Sequence, residues 1–379
     1  MIGTILLAML TASVVFLSLH GIRHFRSAPK VTRSRIQYPA PKVSIIIPMR
    51  NEERNAARVL QSLTNQTYPN YEIIVVEDGS TDSTVDIVKS FDVDLIQIDT
   101  LPPDWVGKNY ACHIGQSCAA GGYLLFTDAD TYHEREALES IMTYVVENEV
   151  DMLAPTIGHN NVGFWEKVVQ PCVFNIHFLL YRIEKVNDPR SKYSIANGQY
   201  LLIRREVYDA VGGHERFKGA VSEDLAVAHG VKKKRYRLRV ADVRHLVKVR
   251  MYHNLSEIVS GWRKNFFTGV RREARSALIA ILLVFFIFII PPILLFFGII
   301  CTISRGSISG LFIQGVIQNV FLLSWMFIVH KKCDDSAGWA LLHPLGNLVY
   351  LLIMIMSTLD GLHGRGVSWK GRQYRIDGQ

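Results

Sequence analysis

Residues 123–130 read Tyr123-Leu124-Leu125-Phe126-Thr127-Asp128-Ala129-Asp130. The apolar run is short, so it reads as a strand, and the two acids close it on alternate residues. Side chains at that spacing share one face, so both carboxylates can reach one hard cation carrying a diphosphate. A second acidic cluster, Ser222-Glu223-Asp224, lies well downstream in Gly-rich surroundings and supplies a further acid where a base could sit.

Working outward from that strand, the pattern is regular on both sides. Val43 to Pro48 reads as a buried strand, and Glu52 to Gln66 as a helix burying Ala56, Val59, Leu60 and Leu63. Tyr71 to Val76 is a strand ended by Asp78-Gly79-Ser80, with Ser80 expected to cap the next helix through Val85, Ile87 and Val88. Asp94 to Ile98 reads as strand, Asn109 to Ala120 as helix, and a helix through Ala137, Leu138, Ile141 and Val145 precedes the strand-like Asp151 to Pro155. Alternating strands and helices predict an α/β fold with a doubly wound, mainly parallel sheet. Ligands of such sheets bind beyond the carboxyl ends of the strands. Asp78, Asp128 and Asp130 all fall at strand ends. Glu53 and Asp82 are expected to complement helix starts. No GxGxxG follows the first strand and no GxxxxGK[ST] occurs, which disfavours a nicotinamide enzyme and a P-loop ATPase.

Apolar segments frame this region. Ile2 to Leu19 is apolar and followed by Arg23 and Arg26, an order that fits an uncleaved anchor with the next domain on the cytoplasmic side. Ala277 to Cys301 has no charged residue and holds Pro291-Pro292; Ile308 to Val329 and Ala340 to Leu359 are also apolar. The basic tail, with Arg365, Lys370, Arg372 and Arg375, favours the inside, so a re-entrant segment or a hairpin at the prolines is expected. Net charge is +8 and the pI about 9.2. The bases cluster beside apolar segments, at Arg23, Arg26, Lys30, Arg33 and Arg35 and at Arg263, Lys264, Arg271, Arg272 and Arg275. That placement points to membrane headgroups. Lys232-Lys233-Lys234-Arg235 comes with no recognition motif, so no nucleic-acid partner is expected. The five cysteines form no metal spacing and read as reduced, packed thiols. Phe164 to Tyr181, interrupted by polar residues, reads as an interfacial or substrate-lining helix. The organisation expected is an anchor over 1–20, a basic linker over 21–41, a cytosolic domain over 42–243, an interfacial amphipathic region over 244–276, transmembrane helices over 277–360 and a basic tail over 361–379.

The stretches Ile45 to Glu52, Val76 to Asp82, Gly107 to Ala111, Thr127 to Asp130 and Ser222 to Asp224 come in the order of one family. In them the chain resembles the nucleotide-sugar-dependent glycosyltransferase family 2, whose fold is GT-A-like. The resemblance implies that Pro48, Arg50 and Glu52 line the nucleotide pocket and that Asp78 contacts the uracil. It also implies Lys108 near the nucleotide, Asp128 near the ribose, Asp130 with Asp128 as holders of Mg2+ or Mn2+, and Asp224 as general base of an inverting transfer. The competing structural role for Asp224 is that of a helix N-cap before Leu225. Membrane-linked members carry Gln/Arg-x-x-Arg-Trp after the base, where this chain has Ser260-Gly261-Trp262-Arg263-Lys264-Asn265. That departure argues against a processive polysaccharide synthase. Glu223, Trp262, Arg263 and Lys264 are then candidates for contact with acceptor or diphosphate, and anchoring at a membrane surface fits the last three equally.

The tail Trp369 to Tyr374, Gly261-Trp262 and the hydropathy layout resemble a narrower subgroup that glycosylates a carotenoid acid. The expectation is a membrane-bound, multi-pass hexosyltransferase of the cell membrane, using a nucleotide-sugar donor such as UDP-glucose and a lipid acceptor. Alternatives are a hopanoid, ceramide-like or polyprenyl phosphate acceptor, or a non-catalytic membrane scaffold of this fold. The sequence does not give the oligomeric state.

Overall fold

A computed structural model describes residues 2–24, 28–35, 39–180, 182–220, 222–269, 273–363, 367–369 and 372–374. Arg26, Tyr181, Arg271, Arg272, Arg365, Lys370, Gly371 and Arg375, named above, lie outside them. In chain order the elements begin α1 (Ile2–His24), β1 (Val43–Met49), α2 (Ala56–Thr64), β2 (Tyr71–Glu77), α3 (Thr84–Lys89), β3 (Asp94–Gln97), α4 (Gly107–Cys118) and β4 (Tyr123–Thr127). Next come β5 (Thr131–His133), α5 (Ala137–Glu147), β6 (Met152–Leu153), β7 (Gly158–His159), α6 (Phe164–Leu180), α7 (Ile183–Asn187) and β8 (Tyr200–Arg204). They continue with α8 (Arg205–Val211), α9 (Gly213–Arg216), α10 (Glu223–Lys233), β9 (Leu238–Arg239), β10 (Val247–Val249) and α11 (Leu255–Gly269). The last are α12 (Ala274–Val284), α13 (Ile290–Arg305), α14 (Gly310–Lys332), α15 (His343–Leu362), β11 (Val367–Trp369) and β12 (Arg372–Tyr374).

The chain divides into two compact units. One, built on a sheet, comprises Ser27–His159 and Arg182–Met251; the other, mostly helical, comprises Met1–Arg26, Asn160–Tyr181 and Tyr252–Gln379. Residues 244–251, grouped by sequence with the interfacial region, belong to the sheet unit because β10 pairs with β5 and β7.

The main sheet has the order β3-β2-β1-β4-β8-β6-β9. β1 to β4 are mutually parallel, and β8 runs antiparallel to both neighbours, so the sheet is mixed at one strand. Strands covered on both faces read as unbroken apolar runs, which explains Val43 to Ile47. Ile45 and Ile47 share a buried cluster with Val59, Leu60 and Leu63 of α2. On alternate residues Ile46 and Val76 face α4, where Gly115 leaves no room for a Cβ. Helices on both faces make the fold doubly wound, as expected.

Two local expectations are corrected. Ser80 does not cap a helix: its hydroxyl accepts the Asn51 N–H at 2.9 Å. The helix starts at Thr84, and Asp82 takes the Thr84 N–H at 3.1 Å. In the helical unit the Pro291-Pro292 segment is no hairpin. A π-helical turn over Phe285–Ile289 links α12 to α13 without a break, and this wider turn directly precedes the prolines, whose missing N–H groups would otherwise interrupt the helical ladder.

Among the described residues, four helices are long and apolar enough to cross a membrane: Ile5–Ile22, Ala274–Arg305, Gly310–Lys332 and Ala337–Leu362. Cys172, Trp325, Met326, Val329, Cys333 and Ala340 form a buried core among them.

Ile46 is fully buried between β1's neighbours and α4. Ile46→Ala is expected to destabilise the sheet unit by about 2–5 kcal/mol, read as a lower thermal midpoint of the purified chain in detergent.

Candidate active site

The parallel strands end together, so the loops after β1, β2 and β4 share one sheet edge. At β4 that loop begins with Asp128. The residue before it, Thr127, is paired with Tyr200 of β8, and its hydroxyl donates to the Gln199 carbonyl at 2.9 Å. The antiparallel strand thus brings the Asn197-Gly198-Gln199 turn beside Asp128. Lys108, in the first turn of α4, reaches Asp128 Oδ1 at 2.7 Å and Glu223 Oε1 at 3.3 Å. Asp224 completes the group: its Oδ2 accepts the Gly198 N–H at 2.7 Å, and its Oδ1 the Leu225 N–H at 2.8 Å. Ser222 is the N-cap of α10, so Asp224 sits inside the first turn and is not the cap.

The electrostatics follow from this crowding. Burial and the neighbouring Glu223 carboxylate push Asp224 up to about 7, against the pull of Lys108 and the two N–H donors. Burial works against the Lys108 ammonium, but Asp128 and Glu223 outweigh it and hold the group well above the usual lysine range. Gly198 makes the cluster possible. A Cβ there would lie 2.9 Å from Lys108 Nζ, 3.3 Å from Glu223 Oε1 and 3.5 Å from Asp224 Oδ2.

A second group follows β1 and β2. Asp78 is buried, its N–H donates to the Met49 carbonyl at 2.9 Å, and the Arg50 guanidinium donates to its peptide oxygen. Gly79 takes a left-handed φ of 71°, which lets the chain turn beneath Arg50. Asn51, also left-handed at φ 52°, accepts the Thr81 N–H at 2.8 Å. Asp82 accepts the Glu53 N–H at 3.1 Å, and Glu53 accepts that of Ser83 at 3.4 Å. Glu52 donates its N–H to Thr84 Oγ1 at 2.8 Å and accepts from Asn55 at 2.8 Å. Pro48 lies half-buried within β1.

Asp130 sits half-buried in the turn from β4 to β5, its peptide oxygen taking the Arg250 N–H at 3.0 Å. Among the described residues no three His, Cys, Asp or Glu side chains form a complete cation cage. The donor set nevertheless fits Mg2+ or Mn2+, which use one or two carboxylates plus substrate phosphates rather than an all-protein cage.

The structure thus joins Lys108, Asp128, Glu223 and Asp224, and sets Arg50, Glu52 and Asp78 at the same sheet edge. Trp262, Arg263 and Lys264 belong to the helical unit. Trp262 is buried, donates its indole N–H to Gln170 at 2.7 Å, and packs edge-on to Phe174 and Tyr252. Arg263 forms a two-pronged ion pair with Asp360, one prong at 2.7 Å. Gly198 is silent in the sequence because an isolated glycine before a strand carries no periodic signal.

Residues 44–212 match the profile of glycosyl transferase family 2. The matched stretch carries a GT-A-like fold, and the protein is a glycosyltransferase similar to that family. It is similar to the 4,4'-diaponeurosporenoate glycosyltransferase of Staphylococcus aureus (strain USA300), 26% identical with 97% of each chain covered. The enzyme of that name from strain MRSA252 is 27% identical over the same shares. Among solved structures, a mannosyltransferase from Pyrobaculum calidifontis in complex with GDP-Man and Mn2+ superposes with a TM-score of 0.51. It is 18% identical, with 94% of this chain and 97% of that one covered, and shares the fold.

Gly198→Val is expected to abolish glycosyl transfer and to lower the thermal midpoint, because the new side chain meets the Lys108 ammonium that Asp128 and Glu223 hold. Transfer at the wild-type rate would show that the Lys108–Asp224 cluster is not needed.

Proposed function

We propose that the protein is an inverting, membrane-bound hexosyltransferase. It moves a sugar, glucose from UDP-glucose in the reading favoured here, to a lipid acceptor such as a carotenoid acid of the 4,4'-diaponeurosporenoate type. The observation that carries this is the contact of Lys108 with Asp128 and Glu223 beside Asp224, at the sheet edge where nucleotides bind in doubly wound folds. Similarity along the whole chain to an enzyme named for a carotenoid acid supports the acceptor class. The four apolar helices support a multi-pass chain, and Arg23 and Arg26 after the first apolar segment support a cytosolic sheet unit.

In this scheme the acceptor oxygen attacks the anomeric carbon from the face opposite the diphosphate. The bond from that carbon to the diphosphate oxygen breaks, and its electron pair leaves with the nucleotide. Asp130 with Asp128 would hold Mg2+ or Mn2+, which supplies positive charge to offset the leaving diphosphate. Lys108 adds a fixed positive charge at Asp128. Arg50, Glu52, Asp78 and Pro48 are the nucleotide-lining set. Asp224 takes the acceptor proton when the acceptor is a hydroxyl, an effect of about 10²–10⁴-fold for a positioned base.

One observation favours a second reading, a hydroxyl-bearing lipid. A carboxylate acceptor is already ionised at neutral pH and needs no base, whereas Asp224, pushed up to about 7, is poised to be one.

Three measurements test this. Lipid extracts from cells with and without the protein should differ by a hexose increment on one apolar lipid, and no such increment would remove the lipid reading. Asp130→Ala, or a chelator on the wild type, should abolish nucleotide release from the donor; full activity with chelator present would end the metal role. For a hydroxyl acceptor, kcat/KM should rise with pH through about 7 as Asp224 loses its proton, and Asp224→Asn should flatten that limb and lower turnover by orders of magnitude. A slight loss in Asp224→Asn selects an acceptor that is already ionised, a carboxylate or a phosphate.

A further inference from the structure

Asp130 is approached from an element that no part of the scheme above uses. Arg58, half-buried on α2, donates from Nη2 to the Asp130 peptide oxygen at 3.1 Å and to Asn55 Oδ1 at 3.4 Å. Asn55 in turn donates from Nδ2 to Glu52 Oε2 at 2.8 Å. The peptide oxygen that Arg58 grips also takes the Arg250 N–H from beside β10 at 3.0 Å. The turn bearing Asp130 is therefore pinned from two sides. One side leads through Asn55 to Glu52 in the loop after β1.

We infer that Arg58 is a positioning residue: its Nη2 fixes the Asp130 turn for cation binding and ties that turn to the nucleotide-lining loop through Asn55 and Glu52. The inference rests on the proposed cation role of Asp130. Burial disfavours the Arg58 cation, and Asp130 leads the charges that offset this, ahead of Glu52. A guanidinium is suited to the place because it can reach Asn55 and the Asp130 carbonyl at once, while keeping its charge when partly desolvated. A lysine stem is one bond shorter and does not bring its ammonium to the place that Nη2 takes between the two acceptors. Groups that orient a metal-binding residue typically change metal affinity ten- to hundredfold when removed.

The test is Mn2+ binding to the purified full-length chain in detergent, followed by the electron paramagnetic resonance of free Mn2+, with and without UDP. Arg58→Ala and Arg58→Lys should each weaken Mn2+ ten- to hundredfold, and added guanidinium should restore part of the affinity of Arg58→Ala only. Should Arg58→Ala fail to fold, Arg58→Lys and Asn55→Ala carry the test, the latter with loss of the UDP-dependent gain in Mn2+ affinity. Wild-type affinity in Arg58→Lys, or in a folded Arg58→Ala, overturns the inference and leaves the Asp130 role standing. A wild-type chain that binds no Mn2+ overturns both.

Discussion

Three carboxylates meet in the candidate site, and the Lys108 ammonium allows them to do so. Unit charges about 4 Å apart interact by roughly 4 kcal/mol at the effective dielectric of a partly buried site. Asp128, Glu223 and Asp224 without a cation would repel one another by that order, and the loops carrying them would separate. Lys108 neutralises part of this charge from the first turn of α4, at 2.7 Å from Asp128 and 3.3 Å from Glu223. The compensation is incomplete, and burial together with the Glu223 charge makes Asp224 hold its proton more tightly. Burial and one ion-pair arrangement therefore set the basicity of the acid best placed to act as base.

The sheet supplies the geometry for that arrangement. Parallel strands deliver the ends of β1, β2 and β4 to one edge, and antiparallel β8 turns back beside them. Its reversal places Gly198 against Asp224 and Lys108. A uniformly parallel strand would begin at the opposite edge, and its preceding turn would be a strand length away.

Much of this was legible in the sequence, because the signals were periodic. The Val43 to Ile47 run, the apolar spacing of α2 and the alternate acids after β4 each have a physical reading that needs no distant partner. Asp78, Asp128, Asp130 and Asp224 were found through strand ends and family motifs. What escaped depended on pairing. Gly198 matters only because β8 lies antiparallel to β4, and Arg58 only because the β4–β5 turn passes over α2. Ser80 looked like a cap from its place before a helical pattern, yet its hydroxyl goes to Asn51, a contact 29 residues away in sequence. Trp262 read as a contact for acceptor, diphosphate or membrane surface, whereas its indole is buried against Gln170.

The cross-bonding of the loops after β1 and β2 has a dynamic consequence. Asn51 accepts from Thr81, Ser80 from Asn51, Asp82 from Glu53, Glu53 from Ser83, and Thr84 from Glu52. Neither loop can lift away without stripping the other of its partners, so both open as one cooperative segment. Opening at that edge is then an all-or-none event whose frequency is set by five bonds together, and the amide hydrogens of residues 51–53, 81 and 83 share a single clock for exchange with solvent.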